Sequence, residues 1–111
     1  MDLPQKTDYI YDQVKSVGID NIYFEPPASV KIKYPCLIYK RGTISTRYAD
    51  NGVYKLHDAY DLKYITREPD DQMVHTILIG DSTHTAPFKM IRHIRHYVVD
   101  GLHHDDFKLY I

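Results

Sequence analysis

The chain has 111 residues, of which 43% are hydrophobic, and its formal net charge is −1. This length and composition predict one globular domain rather than a disordered chain, and the balanced charge offers no overall electrostatic basis for binding nucleic acid or acidic membranes. A single cysteine, the lack of a signal-peptide pattern and the lack of any apolar run near the roughly 18 residues of a membrane span predict a soluble protein made in the cytoplasm.

The first predicted element is a helix over residues 5–17. Ile10, Val14 and Val17 recur at the spacing of one helical face, and Gly18 is a suitable C-terminal stop. The residues between them are polar or aromatic, which is typical of a helix with one buried face.

Two strands are predicted next. Residues 21–24 form a short apolar segment that ends before Pro26 and Pro27, because proline cannot continue a hydrogen-bonded ladder. Residues 35–40 form a compact apolar run, in which we expect Cys36 to pack as a small and unreactive hydrophobe.

Residues 41–52 predict a loop. Glycines bracket this segment, and its last three residues, Asp-Asn-Gly, are strong turn formers. From Tyr54 to Arg67, apolar and polar residues then alternate, which predicts a long strand with one wet face. Asp58 falls on the apolar parity, so we expect a bulge or a bend near it.

A second helix and a hairpin complete the chain. Residues 71–79 carry a helical stripe of apolar side chains, and Asp70 is placed to cap the first turn. Residues 90–99 and 102–111 predict two strands joined by Asp100-Gly101, the sequence that favours a two-residue type I′ turn.

This order of elements predicts the fold class. We expect a single α+β domain over residues 1–111, built on a mostly antiparallel sheet of about four strands plus a short strand. The N-terminal helix and the second helix are expected to pack on one face of that sheet.

The seven histidines raise the possibility of a metal site. His93 and His96 are three residues apart, a spacing that places them on opposite faces of a strand. His96 could still meet His103 or His104 across the hairpin, with Asp105 as a third ligand. Surface histidines on neighbouring strands explain the same pattern, and we expect no bound metal.

No sequence motif indicates catalysis or cofactor binding. The chain lacks the G-x-S-x-G, Walker A and G-x-G-x-x-G patterns, and its paired carboxylates lie at predicted turns, where solvated acids are common. We therefore expect a protein that is not an enzyme and holds no cofactor.

Charge is unevenly distributed along the chain. Five basic residues and no acid occur between residues 31 and 49, whereas acids gather at residues 68–71 and 100–106. Separate basic and acidic zones suit self-association. The basic zone also contains three tyrosines, so a small nucleic-acid-binding module that uses residues 31–48 is an alternative, although without recognition of a specific sequence.

Four motifs, in this order, resemble those of one protein family. They are YPCLIYKR (34–41), TRYADNGVY (46–54), Y-x-x-x-x-I-T-R-E-P-D (60–70) and RHYVVDGLHHDDFKLY (95–110). The chain resembles, from about residue 22 onward, the tail completion or tail terminator proteins of long-tailed phages and prophages of Gram-positive bacteria. Gly-Leu-His-His at 101–104 stands where family members often have Asn-Leu-Asn-His.

The resemblance implies a structural protein of the virion. Tail terminators of this kind are similar to closed rings, commonly of six subunits, that end the tail tube and join it to the head. The implied partners are further copies of the chain, the tail tube protein and the head completion or connector protein. Members of the family are also described as head–tail connector or minor capsid proteins, and that role is the alternative.

The same resemblance gives the predicted loop at 41–52 a role as an interface loop. The residues expected at the interface are Arg41, Ile44, Arg47, Tyr48, Asp50 and Asn51. Ile44 favours burial, and the planar guanidinium of Arg47 can bind a carboxylate on a neighbour. We expect this loop to be mobile in the free subunit and ordered in the assembly. The alternative is that Arg47 and Asp50 pair on the subunit surface beside an ordinary turn.

Overall fold

A computed structural model describes the backbone of residues 1–49 and 52–111 and the side chains of residues 1–44 and 58–111. In chain order the elements are α1 (Leu3–Ser16), β1 (Ile22–Phe24), β2 (Cys36–Ala49), β3 (Gly52–Thr66), α2 (Met73–Ile79), β4 (Ile91–Val99) and β5 (Leu102–Tyr110). The five strands form one sheet in the order β1-β2-β3-β5-β4. Only the β1–β2 pair is parallel, so the predicted α+β class and the mostly antiparallel sheet are confirmed.

Helix α1 begins at a capping box. The Asp2 carboxylate accepts the backbone N–H of Gln5, and the Gln5 side chain accepts the backbone N–H of Asp2. Ile10 and Val14 are fully buried, as the helical pattern predicted, and the helix ends just before Gly18.

The core lies on one face of the sheet. Every second residue from Tyr60 to Tyr64 of β3 and from Asp105 to Leu109 of β5 is buried there, and the two helices cover these side chains. The sheet contributes Tyr60, Leu62, Tyr64, Phe107 and Leu109, and the helices contribute Ile10, Val14 and Ile77. We call this the covered face. The opposite face carries no helix in the described part of the chain and is called the open face.

The prediction of a loop at residues 41–52 is wrong over most of that range. Strand β2 continues to Ala49 and β3 begins at Gly52, so the two strands extend together past the rest of the sheet. Threonine, isoleucine and tyrosine in this stretch are strand formers, and the partner strand supplies the ladder that a local sequence pattern does not reveal. Gly42 lies at a register shift rather than in a loop. Residues 50 and 51 lie outside the described residues.

Asp58 is buried on the covered face. Its carboxylate Oδ2 lies 2.5 Å from Nζ of Lys6 on α1, and the same ammonium donates to the backbone oxygen of Ile111 at 3.0 Å. The expected irregularity is present nearby, between Arg41 and Ile44 on the partner strand. An acid at an apolar position is thus explained by a buried cation from the helix above it.

The second helix starts later than predicted. Asp70 does not cap it. Asp71 instead accepts the backbone N–H of Met73 at 3.0 Å and the hydroxyl of Tyr64 at 2.7 Å. Gly80 ends the helix with φ +75°, as expected for a glycine stop.

The β4–β5 hairpin has the predicted turn. Asp100 and Gly101 both have positive φ, 51° and 75°, which is the conformation that a type I′ turn requires. Strand β4 also contains a bulge between His93 and Arg95, where Ile94 has no register partner on β5.

Candidate assembly surfaces

A two-stranded ribbon extends past the rest of the sheet, and we call it the arm. It consists of residues 44–49 of β2 and 52–57 of β3, paired with each other. Strand β5 pairs with β3 only from Ala59 onward, and β1 pairs with β2 only up to Tyr39. Both outer edges of the arm are therefore unpaired in the described structure. A two-stranded ribbon of this kind is marginally stable in water unless something packs on it.

Most of the predicted interface residues lie on the arm or at its base. Arg41 is exposed at the base, where its backbone N–H donates to the Glu25 carboxylate. Ile44 begins the arm and is 51% exposed, a high value for an aliphatic side chain.

The remaining predicted interface residues fall further out. Arg47 and Tyr48 belong to the arm, whereas Asp50 and Asn51 lie outside the described residues. The predicted surface pair between Arg47 and Asp50 therefore also falls outside them. The backbone register places Lys55 directly opposite Arg47. Sequence reasoning missed Lys55, because its relation to Arg47 depends on recognising the segment as a hairpin.

At the other end of β3 lies a group of acids, Glu68, Asp70 and Asp71, which we call the acidic end. Glu68 and Asp70 are exposed, and neither forms an ion pair within the described part of the chain. A groove of about 290 Å³ runs beside them; its lining includes Val74 and His96. Among the described side chains, no cation lies within ion-pair distance of the Glu68 and Asp70 carboxylates.

Asp71 is held more tightly than its two neighbours. Burial acts to raise its pKa, but hydrogen bonds from the Met73 N–H and from the Tyr64 and Thr66 side chains outweigh that effect, so the pKa lies below its usual value. Burial and the adjacent carboxylate raise the pKa of Tyr64 well above its usual value, so its hydroxyl remains a donor. The Asp71 carboxylate therefore stays anionic at neutral pH.

The open face carries a network of ion pairs. Lys108 contacts Asp61 at 3.1 Å, and Asp106 lies 2.6 Å from Arg95 and 3.7 Å from Lys63. These contacts border a shallow groove of about 540 Å³. Both carboxylates of this network, Asp61 and Asp106, are thus paired with cations of the same subunit.

The second predicted acidic zone, at residues 100–106, is not one surface. Asp106 belongs to the open face, whereas Asp105 points to the covered face and is buried. Asp100 lies at the hairpin tip, on the same side of the molecule as the end of β3, because Thr66 pairs with His103. Alternation along a strand separates residues that are adjacent in sequence.

The prediction that His93 and His96 face opposite sides is wrong. The bulge at Ile94 inserts one residue, so both imidazoles reach the same oxygen of Asp105, at 2.9 and 3.0 Å. The His96 ring also stacks on that of His103, at 5.6 Å between centroids.

His104, which was also considered as a metal ligand beside His96, lies on the other face of the sheet. His104 is on the open face and stacks on Tyr97 at 4.7 Å. Burial, followed by the nearby Lys63, lowers its pKa. Among the described residues, no group of three or more His, Cys, Asp or Glu side chains is arranged to hold a metal ion.

Two further predictions concern side chains of β2. Cys36 is fully buried, and burial raises the pKa of its thiol to about 11, so it stays protonated at neutral pH. Tyr39, one of the three tyrosines of the basic zone, is also buried, and its hydroxyl donates to the backbone oxygen of Thr7. Tyr39 is therefore not available to stack on a nucleic-acid base.

Neither of the two described helices is long and apolar enough to cross a membrane.

The chain matches no family model, and no curated protein matches it in sequence.

Proposed function

We propose that the protein is a non-enzymatic structural subunit of a phage virion. In this role it forms a homo-oligomeric ring at the head-proximal end of the tail, ends the tail tube and joins it to the head connector. The four ordered motifs support the phage assignment, and the resemblance implies a hexamer. The observation that carries the self-assembly part is the arm.

The arm supports self-assembly because it is incomplete in a single subunit. Its strands pair with each other but leave both outer edges without partners in the described structure. Unpaired edges favour contact with another chain, and a ribbon of two strands gains stability when a neighbour covers it. The half-exposed Ile44 at the start of the arm adds apolar surface that a neighbour would bury.

A ring of identical subunits supplies such a neighbour without any other protein. In a head-to-tail contact each subunit uses two different patches, and repeated rotation closes the ring. An assembly of this kind needs complementary surfaces and no catalytic site. The tail tube protein and the head completion protein would then bind the two faces of the ring.

The test removes the arm and leaves the body intact. Residues 45–57 are replaced by Asn-Gly, which joins the register partners Ile44 and Asp58 through a two-residue turn. We expect the shortened chain to fold as a monomer and the natural chain to form rings. Native mass spectrometry at two concentrations distinguishes the two. In the ring, backbone amides of the arm should exchange hydrogen more slowly than in the free subunit.

Two exposed lysines outside the arm provide a matched control. Lys31→Ala with Lys33→Ala changes two exposed residues outside the arm and should assemble normally. The shortened chain should also fail to complete tails in an extract that lacks the natural protein. Rings formed equally well without the arm would contradict the proposal. Binding to head connectors but never to tail tubes would favour the connector role instead.

A further inference from the structure

Opposite charges lie at the two ends of β3. The arm has two basic residues, Arg47 and Lys55, and no acid, and Asp50 lies between its two strands in sequence. The acidic end follows the last residue of the same strand. Fifteen residues at roughly 3.3 Å each span about 50 Å, close to the 52 Å long dimension of the molecule. Because salt screens charges beyond about 10 Å, the two groups do not neutralise each other within one subunit.

The backbone of the arm brings two basic residues to one register position. Arg47 and Lys55 are directly opposite in register across the ribbon. Like charges at such positions destabilise the pairing of two antiparallel strands. An anion supplied from outside the subunit would offset like charges at such a register position.

The acidic end offers a matching surface. Glu68 and Asp70 are exposed without a cation partner in the described structure. Val98 and Val99 lie at the same end of the sheet and are about half exposed, at 52% and 49%. Carboxylates and exposed aliphatic side chains at one end of the sheet complement an arm that carries basic residues and the exposed Ile44.

We propose that the arm of one copy docks on the acidic end of a second copy, so that Arg47 and Lys55 lie beside the carboxylates there. This inference rests on the proposed self-assembly and names its contact. The two patches lie at opposite ends of the molecule, so each copy gives one arm and receives another. Such a heterologous contact repeats around a ring until it closes.

The experiment reverses each patch separately and then mixes the variants. The arm variant is Arg47→Glu with Lys55→Glu, and the acid variant is Glu68→Lys with Asp70→Lys. Each alone should weaken self-association at least about tenfold, measured as the dissociation constant by sedimentation velocity. An equimolar mixture should assemble again, because the reversed arm of one variant fits the reversed acidic end of the other.

Matched controls change the same number of charges elsewhere. Lys31→Glu with Lys33→Glu controls for the arm variant, and Asp12→Lys with Asp20→Lys controls for the acid variant; all four residues are exposed. Both controls should associate as the natural chain does. Circular dichroism melting verifies folding, and the neutral pair Arg47→Gln with Lys55→Gln replaces the arm variant if that one unfolds.

The outcomes separate this contact from the proposed function. Single variants that assemble like the natural chain, or a mixture that does not recover, would overturn the contact. If arm removal abolishes rings while charge reversal has no effect, self-assembly stands and the charged contact falls. A natural chain that stays monomeric at every concentration and in assembled tails would overturn both.

Discussion

The two faces of the sheet carry the same kind of ion pair in different surroundings. On the covered face, Lys6 and Asp58 are only 11% and 9% exposed. On the open face, Lys108 and Asp61 are 26% and 39% exposed, at a contact distance of 3.1 Å. Both pairs join elements that are distant in sequence. The difference teaches that burial, not geometry alone, decides how much a charge pair matters to folding.

Breaking the covered pair is expected to have the largest effect. Asp58→Ala leaves the Lys6 ammonium buried without its carboxylate, which should lower the free energy of unfolding by about 3–5 kcal/mol. Urea denaturation of the monomeric form measures this change.

The control for Asp58→Ala removes both charges. Lys6→Met with Asp58→Leu should recover most of the lost stability, because no unpaired charge remains in the core. A loss below about 1 kcal/mol for the single variant would mean that the buried pair behaves like an exposed one.

A second comparison uses one tyrosine from each face. The Tyr64 hydroxyl donates to the Asp71 carboxylate at 2.7 Å from a buried position, so Tyr64→Phe should cost about 1.5–3 kcal/mol of unfolding free energy. Tyr97 lies on the open face, where its hydroxyl accepts from Lys63 at 2.5 Å. Tyr97→Phe should cost about 1 kcal/mol or less by the same denaturation measurement. Equal losses would remove the distinction between the faces.

The pH dependence of the unfolding free energy tests the hydrogen bonds of Asp71. Its pKa is lower in the folded chain than its ordinary value of 3.8, so its stabilising effect is present above that value and is lost as the pH falls through the folded pKa. Asp71→Asn removes this dependence. The difference in unfolding free energy between the natural chain and Asp71→Asn should therefore shrink below pH 3.8. A difference that stays constant down to strong acid would contradict the assignment.

The smallest effect is expected for the exposed pair. Lys108→Ala should change the free energy of unfolding by about 0–1 kcal/mol, since solvent and salt screen its contact with Asp61. Raising the salt concentration should reduce even this difference. A loss comparable to that of Asp58→Ala would show that the open face is covered in solution.

The parts of the fold that local patterns determine were predicted well. Alternation identified the buried face of β3, which includes Tyr60, Leu62 and Tyr64, and Asp100-Gly101 identified the hairpin turn. Both signals depend on neighbouring residues alone.

The features that depend on distant partners were not predictable from one sequence. Glycines and turn residues suggested a loop at 41–52, but pairing with β3 makes most of it a strand. Lys6 comes from 52 residues away to neutralise Asp58. The placement of His93 and His96 required knowledge of a bulge that no local pattern marks. Of the candidate site, the sequence indicated Arg47 but not its register partner Lys55.

The bulge in β4 has a consequence for solubility. This nine-residue strand is an edge of the sheet, and long flat edges promote the growth of fibrils by lateral strand addition. The extra residue at Ile94 interrupts the regular spacing of hydrogen-bonding groups along the outer side, and Arg92 and Arg95 add charge on either side of it. A foreign strand cannot match this edge over its whole length. We therefore expect this edge to oppose the edge-to-edge stacking of crowded copies into insoluble aggregates.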